Sequence, residues 1–373
     1  MIPLFEQYPL LGEKLARVPL GEFPTPVQKL ERLGTEFGVS QLYMKRDDLS
    51  GKLYGGNKPR KLEFILGSAL RSKAEEVMTF GCTGSNHALA TAIYARQAGL
   101  GSISMLVPQP NATYVRRNLL MSQHCGAELH VCGTRLESAT NMPLVYTAAT
   151  YQLLRHRLKK GRFPYFIPPG GSSTLGVAGY INAALELRDQ IMRGEMPEPQ
   201  HVYVACGTMG TAAGLTLGLR AAKLGGRVVS VSVTGERYTN TREMIGLVRK
   251  TNSLLCSLDA SFPKLEFSET DVDIRHDYFG QRYALFTNEG MEAVSLMREC
   301  EGIKLDGTYT GKALAALRHD AKDGSLRGKT ILFWNTLNSR DFSDAISGLD
   351  YHDLPRPFHR YFEEDVQPLD RDY

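Results

Sequence analysis

The sequence predicts an α/β protein whose parallel strands are covered on both faces by helices. Short apolar runs recur along the chain, each ending in a polar, glycine-bearing loop and followed by a stretch with helical spacing. Strands that alternate with helices in this way imply parallel sheets. The length, 373 residues with 42% hydrophobic and 23% charged side chains, suits one large or two ordinary soluble domains.

In chain order, residues 1–40 are punctuated by proline, and Phe23-Pro24-Thr25-Pro26 precedes an amphipathic stretch over 27–37 that reads as a helix. Leu42-Tyr43-Met44-Lys45 reads as a strand running into a charged turn, Arg46-Asp47-Asp48. After a helix over 59–73 come a strand at 77–80, the polar loop Gly81-Cys82-Thr83-Gly84-Ser85-Asn86-His87 and a helix over 88–97. The alternation returns at 102–107, at 128–131 with a helix over 141–158, and at 165–167 before Pro168-Pro169-Gly170-Gly171-Ser172-Ser173. A helix over 175–193, a strand at 201–206, a helix over 212–223, a strand at 227–233 and helices over 240–254 and 288–302 follow. A helix over 312–322 and a strand at 329–334 close the regular part, and the aromatic, proline-interrupted tail beyond Asn338 is expected over the surface or partly disordered.

The formal charge of +4 comes from interleaved acidic and basic residues, and the densest basic cluster, Arg155 to Arg162, reads as a solvated helix end rather than a nucleic-acid tract. The six cysteines form no CxxC pair and are scattered through apolar segments, as expected of reduced, mostly buried thiols in the cytoplasm, and no metal is expected. The N-terminus has prolines and charges in place of an apolar signal core, and no run of eighteen apolar residues occurs, so neither export nor membrane insertion is expected.

The chemistry centres on Gly55-Gly56-Asn57-Lys58-Pro59-Arg60-Lys61. Two glycines permit a tight turn, Asn57 can cap, and Pro59 fits the first turn of a helix, where its missing N–H is no loss. Lys58 and Lys61, three residues apart, then share one helix face. A lysine that is partly desolvated loses proton affinity and can form an imine with a carbonyl, while a second can balance a phosphate. A solvated basic helix start is the alternative for this motif alone. Gly207-Thr208-Met209-Gly210-Thr211, between a strand and a helix, can present backbone N–H groups to an anion; ordinary turn chemistry is the alternative there.

Six motifs in one order carry a more specific signal: GGNKPRKLEF, GSNH, PPGGSSTLGVAGY, the loop at 207–211, NEGMEAV and YTGKALAAL. Together, from about residue 15 to 335, they resemble the D-cysteine desulfhydrase and 1-aminocyclopropane-1-carboxylate deaminase family, fold type II enzymes that use pyridoxal 5'-phosphate. The resemblance implies a small domain near 60–168 and a large one from 1–59 with 169–373, with the cofactor in the cleft between and a tail over 338–373. It implies that Lys58 forms the imine with the cofactor, that Lys61 helps hold the phosphate, and that Gly207, Thr208, Met209, Gly210 and Thr211 form the phosphate cup. Asn86 resembles the residue near ring and phosphate. Ser85, Asn86 and His87 resemble the loop that grips the substrate carboxylate, with Tyr283 and Tyr309 lining the site. Thr310 matches the position that faces the pyridine nitrogen.

The deaminase branch resembles YEGK and SNQ where this chain has Tyr309-Thr310-Gly311-Lys312 and Ser85-Asn86-His87, so Thr310 and His87 lean towards the desulfhydrase branch. A hydroxyl cannot keep the ring as protonated as a carboxylate would, and opening a cyclopropane demands a stronger electron sink than expelling a good leaving group. The implied activity is α,β-elimination from a small amino acid, D-cysteine giving pyruvate, ammonia and sulfide. The α-proton would go to the freed Lys58 amine or to a hydroxyl at Ser85 or Tyr309. Deamination of the cyclopropane amino acid to 2-oxobutyrate, elimination of another leaving group, and a non-catalytic binder of cofactor or amino acid are the other readings. The family's final strand ends in His-Thr-Gly-Gly where this chain has Trp334-Asn335-Thr336-Leu337-Asn338, which places a bulky indole near the expected pocket. A homodimer is implied by the class.

Overall fold

The structure, a computed structural model, describes residues 1–133 and 141–371. The chain divides into two compact units, Met1–Phe64 with Ser172–Ser339, and Ile65–Gly171 with Arg340–Tyr373. The terminal segment from Arg340 thus groups with the second unit, whereas the sequence placed it with the larger domain. Ten strands are present among the described residues: β1 Val27–Lys29, β2 Gln41–Lys45, β3 Glu76–Cys82, β4 Gly101–Val107, β5 Glu128–Val131, β6 Tyr165–Ile167, β7 His201–Cys206, β8 Arg227–Ser232, β9 Asp273–Arg275 and β10 Thr330–Trp334.

In the first unit six strands run in the order β1-β2-β10-β7-β8-β9, parallel except for β1 against β2. Its strands read as near-continuous apolar runs because both faces are covered. Val202, Val204, Leu332 and Trp334 join one core cluster, and Tyr203, Ala205, Ile331 and Phe333 the other, as the two-residue period of a strand requires. The stretch over 27–37 departs from expectation: Val27–Lys29 is a strand paired with β2, and only Glu31–Phe37 is helical. Short β9 has no counterpart in the sequence reading.

The second unit carries β5-β4-β3-β6, all parallel, and Val77, Met78, Ile103, Met105 and Leu129 are buried there. No helix among the described residues is long and apolar enough to cross a membrane, and no disulfide joins the six cysteines.

In the first unit a buried polar cluster fixes the start of the helix Lys58–Arg71. Arg60, 1% exposed, donates from Nε to Asp47 Oδ2 at 2.9 Å and from Nη1 to Glu186 Oε2 at 2.9 Å. Lys45 Nζ donates to Glu186 Oε1 at 2.6 Å, and Tyr180 and Trp334 donate to Asp47 Oδ2 at 2.8 and 2.7 Å. Burial opposes the charge on Glu186, but Arg60 and Lys45 override it and hold the carboxyl down at about 2. The helix start also passes against the helix Thr174–Met192 at Gly179, where a Cβ would stand 2.0 Å from the Arg60 carbonyl oxygen. With about 100° between successive helical residues, inserting Arg60 into this cluster turns Lys58 and Lys61 to other sides of the helix.

Candidate active site

The loop before Lys58 is clasped by the segment after β10. Gly55 N–H donates to Asn338 Oδ1 at 2.6 Å, Asn57 N–H to the Thr336 carbonyl at 3.2 Å, and Gly56 N–H to the Asp47 carbonyl at 2.7 Å. The helix starts at Lys58, as the motif predicted. Burial lowers the Lys58 pKa to about 8. Lys61, 2% exposed, is lowered well below the usual lysine range, by burial first and by Lys58 second. Lys312, another buried lysine, also sits at about 8 through burial, but it donates to the Phe279 carbonyl at 2.7 Å and so serves the fold.

Lys61 reaches the loop 207–211. Met209 holds φ 64°, a left-handed conformation that is uncommon for a residue with a side chain, and from it the helix Gly210–Ala221 begins. Ser172 Oγ lies 2.8 Å from Thr208 Oγ1 and accepts the Gly210 N–H at 3.1 Å, and Asn57 Nδ2 donates to Thr211 Oγ1 at 3.0 Å. A Cβ on Gly210 would stand 2.5 Å from Ser172 Oγ and 3.0 Å from Lys61 Nζ. A side chain at position 210 would therefore have to displace the Ser172 hydroxyl and crowd the Lys61 amine. The donor set around the loop is an amine, hydroxyls and a helix N-terminus, which fits a phosphate, and an anion there would favour the protonated state of Lys61 that burial disfavours. Asn57 and Ser172 are additions to the sequence reading; both lay inside quoted motifs, but only folding shows which loop they meet.

The Tyr309 ring borders the same cup, with Cε1 3.9 Å from where a Cβ would stand on Gly207. Its phenol meets that of Tyr283, 9% exposed, the two rings edge-on with centroids 6.3 Å apart. Thr310 is fully buried at the start of the helix Thr310–Lys322; its hydroxyl donates to Asp306 Oδ2 at 2.8 Å and accepts the Asp306 N–H at 2.8 Å. The first unit thus brings Lys61, Tyr309 and, through Tyr309, Tyr283 to the loop of Gly207 to Thr211, with Lys58 close enough to Lys61 to lower its pKa, while Thr310 follows Tyr309 in the chain but bonds to Asp306. Trp334 does not join them. The expectation of an indole near the pocket is corrected: it is buried in the Asp47 cluster, edge-on to Tyr180 at 6.0 Å. Asn335 is also buried, and its Nδ2 has no hydrogen-bond partner among the described residues.

Ser85, Asn86 and His87 belong to the second unit, between β3 and the helix Asn86–Gln97. Ser85 Oγ caps that helix by accepting the Ala88 N–H at 3.1 Å, Asn86 Oδ1 accepts from Asn118 Nδ2 at 3.0 Å, and His87 is 3% exposed. A Cβ on Gly171 would stand 3.2 Å from the His87 ring.

Two mostly parallel sheets flanked by helices are the architecture of the fold type II class of pyridoxal phosphate enzymes. Residues 18–336 match the family described as "Pyridoxal-phosphate dependent enzyme". The chain is 35% identical over 328 residues to a protein of Pyrococcus abyssi named "Putative 1-aminocyclopropane-1-carboxylate deaminase", covering 87% of this chain and 92% of the relative. It is 36% identical over 307 residues to a D-cysteine desulfhydrase of Salmonella typhimurium, covering 81% and 88%. A crystal structure titled as an ACC deaminase homologue superposes with a TM-score of 0.75 at 33% identity, over 92% of this chain and 98% of that one. The chain belongs to the pyridoxal-phosphate dependent enzyme family, in the group of 1-aminocyclopropane-1-carboxylate deaminases and D-cysteine desulfhydrases, and is a pyridoxal phosphate-dependent lyase.

Proposed function

We propose that the protein catalyses α,β-elimination from a small amino acid, with D-cysteine converted to pyruvate, ammonia and sulfide. Lys58 would hold the cofactor covalently, its lowered pKa leaving a larger share of nucleophilic amine than an ordinary lysine has. Lys61 and residues 207 to 211 would bind its phosphate, and Tyr309 would lie against it. Ser85, Asn86 and His87, with Tyr283, would receive the substrate. The cofactor, when bound, supplies a sink for the charge left by removal of the α-proton. The Lys58 amine, once free, is the group able to take the α-proton; the Ser85 hydroxyl, which accepts the Ala88 N–H through one lone pair, would first have to lose its own proton to do so.

Thr310 carries this reading. Its proton already goes to Asp306 and one lone pair to the Asp306 N–H, so it would offer a ring nitrogen a single neutral lone pair in place of a carboxylate. The weaker sink suits expulsion of a good leaving group better than opening of a strained ring. The Pyrococcus abyssi relative and one from Thermotoga maritima, both named putative 1-aminocyclopropane-1-carboxylate deaminases, favour the alternative, deamination of that cyclic amino acid. The test is a screen of D- and L-amino acids by the purified protein. Pyruvate with sulfide from D-cysteine supports elimination, 2-oxobutyrate from the cyclic amino acid selects deamination, and a cofactor band that shifts without product selects a binder. We read the protein as a cytoplasmic homodimer, a state that sedimentation of the purified chain checks.

A further inference from the structure

The family match ends at residue 336, and the segment from Arg340 onward groups with the second unit. Phe358 and Tyr361 are 0% and 2% exposed, and Tyr351 stacks on Phe362 at 4.7 Å, so the segment is packed along its aromatic side chains. It is tied along its length to the start of the helix Thr113–His124. Arg116 Nε donates to the Tyr361 carbonyl at 2.6 Å, Arg116 Nη2 to the Glu364 carbonyl at 2.8 Å, and Asn111 Nδ2 to both carbonyls at 3.0 and 2.9 Å. Gln367 N–H donates to the Asn111 carbonyl at 3.0 Å.

These ties deliver one buried hydroxyl to the loop that precedes Ser85. Tyr361 OH accepts the Gln109 N–H at 3.1 Å and donates to Thr83 Oγ1 at 3.0 Å, and Thr83 Oγ1 donates onward to the Val107 carbonyl at 3.2 Å. Gln109 Oε1 accepts the Gly84 N–H at 2.9 Å, while Asn118 Nδ2 donates both to the Gly84 carbonyl at 2.9 Å and to Asn86 Oδ1. Thr83, Gly84 and Asn86 are therefore held by a single network with Tyr361 at its far end. A site's precision depends on the groups that hold its contact residues, and small displacements of those residues cost affinity.

We propose that the C-terminal strap, through the Tyr361 hydroxyl, is a positioning element for the substrate loop Ser85-Asn86-His87. The inference rests on the reading that this loop binds the substrate carboxylate. The Tyr361 hydroxyl bonds to Thr83 and Gln109 and acts through them rather than on Ser85 or His87 directly. Tyr361→Phe removes the hydroxyl and keeps the ring. Loss of one buried hydrogen bond corresponds to about a 2- to 10-fold effect, and here it should appear in substrate affinity.

The test uses purified full-length holoenzyme of wild type, Tyr361→Phe, Thr83→Val and the double variant. The readouts are sulfide release from D-cysteine and titration of the cofactor absorbance with D-cysteine and 1-aminocyclopropane-1-carboxylate. The expected result is a KM, or half-saturating concentration, raised about 5-fold in each single variant. The double variant should rise no further, with kcat per bound cofactor and the unliganded cofactor band unchanged. A variant that only lost folded enzyme would bind less cofactor at unchanged KM, and that outcome overturns the proposal. So does a wild type that responds to amino acid beside a Tyr361→Phe that responds at the same concentration. A wild type whose cofactor band no amino acid shifts overturns the reading of the substrate loop itself, and the role of the strap with it.

Discussion

Lys61 Nζ lies 3.0 Å from the point where a Cβ would stand on Gly210. A methyl group there would crowd Ser172 Oγ and Lys61 Nζ, the groups proposed to meet the cofactor phosphate. Gly210→Ala should weaken pyridoxal phosphate binding by about 5- to 150-fold, the range that 1–3 kcal/mol of overpacking gives. Cofactor titration of the apoprotein by absorbance measures it, and affinity equal to wild type would remove the cup from the phosphate site.

Lys58 is expected to set the pH dependence of cofactor capture. Its charged form cannot attack an aldehyde, so capture should quicken as pH rises, with a midpoint near the lowered pKa of about 8 rather than near the ordinary lysine value. Stopped-flow growth of the cofactor band between pH 6 and about 10 reads this midpoint directly. Lys58→Ala should abolish the band, and a band that persists would assign the covalent link to another residue.

Glu186 should govern acid stability. Its carboxyl is held down at about 2 in the folded chain against about 4.3 when unfolded, so its contribution is present above pH 4.3 and is lost as pH falls towards 2. Glu186→Gln should flatten that acid limb. Glu186→Ala should cost about 3–5 kcal/mol at neutral pH by leaving Arg60 and Lys45 with uncompensated buried charge. Urea denaturation at pH 3 and 7 distinguishes the two effects.

Trp334→Phe tests whether the indole belongs to the core or to the pocket. It should lower stability by about 1–3 kcal/mol, because Asp47 loses a buried donor, and leave the KM for the substrate amino acid unchanged. A change in substrate preference with full stability would return the indole to the pocket.

The alternation of strand, polar loop and helix follows from local residue spacing, so the sequence alone determined the α/β class, the helix start at Lys58 and the loop at 207–211. The period of apolar residues is a property of neighbours along the chain, which is why these features are legible without a structure. Partners distant in sequence were not. Trp334 reads as a pocket residue beside Asn335, yet register opposite Lys45 in parallel strands sends it into the buried cluster around Asp47. The segment 27–29 carries a helical spacing, yet pairing with β2 makes it a strand, since a free sheet edge offers hydrogen bonds that outweigh weak propensity. The tail is expected over the surface or partly disordered because nothing local says what it packs against; only the fold brings Tyr361 to Thr83, across 278 residues of chain. Tertiary structure decided these points because burial and hydrogen-bond completion are settled between segments, and no short window of sequence contains both partners.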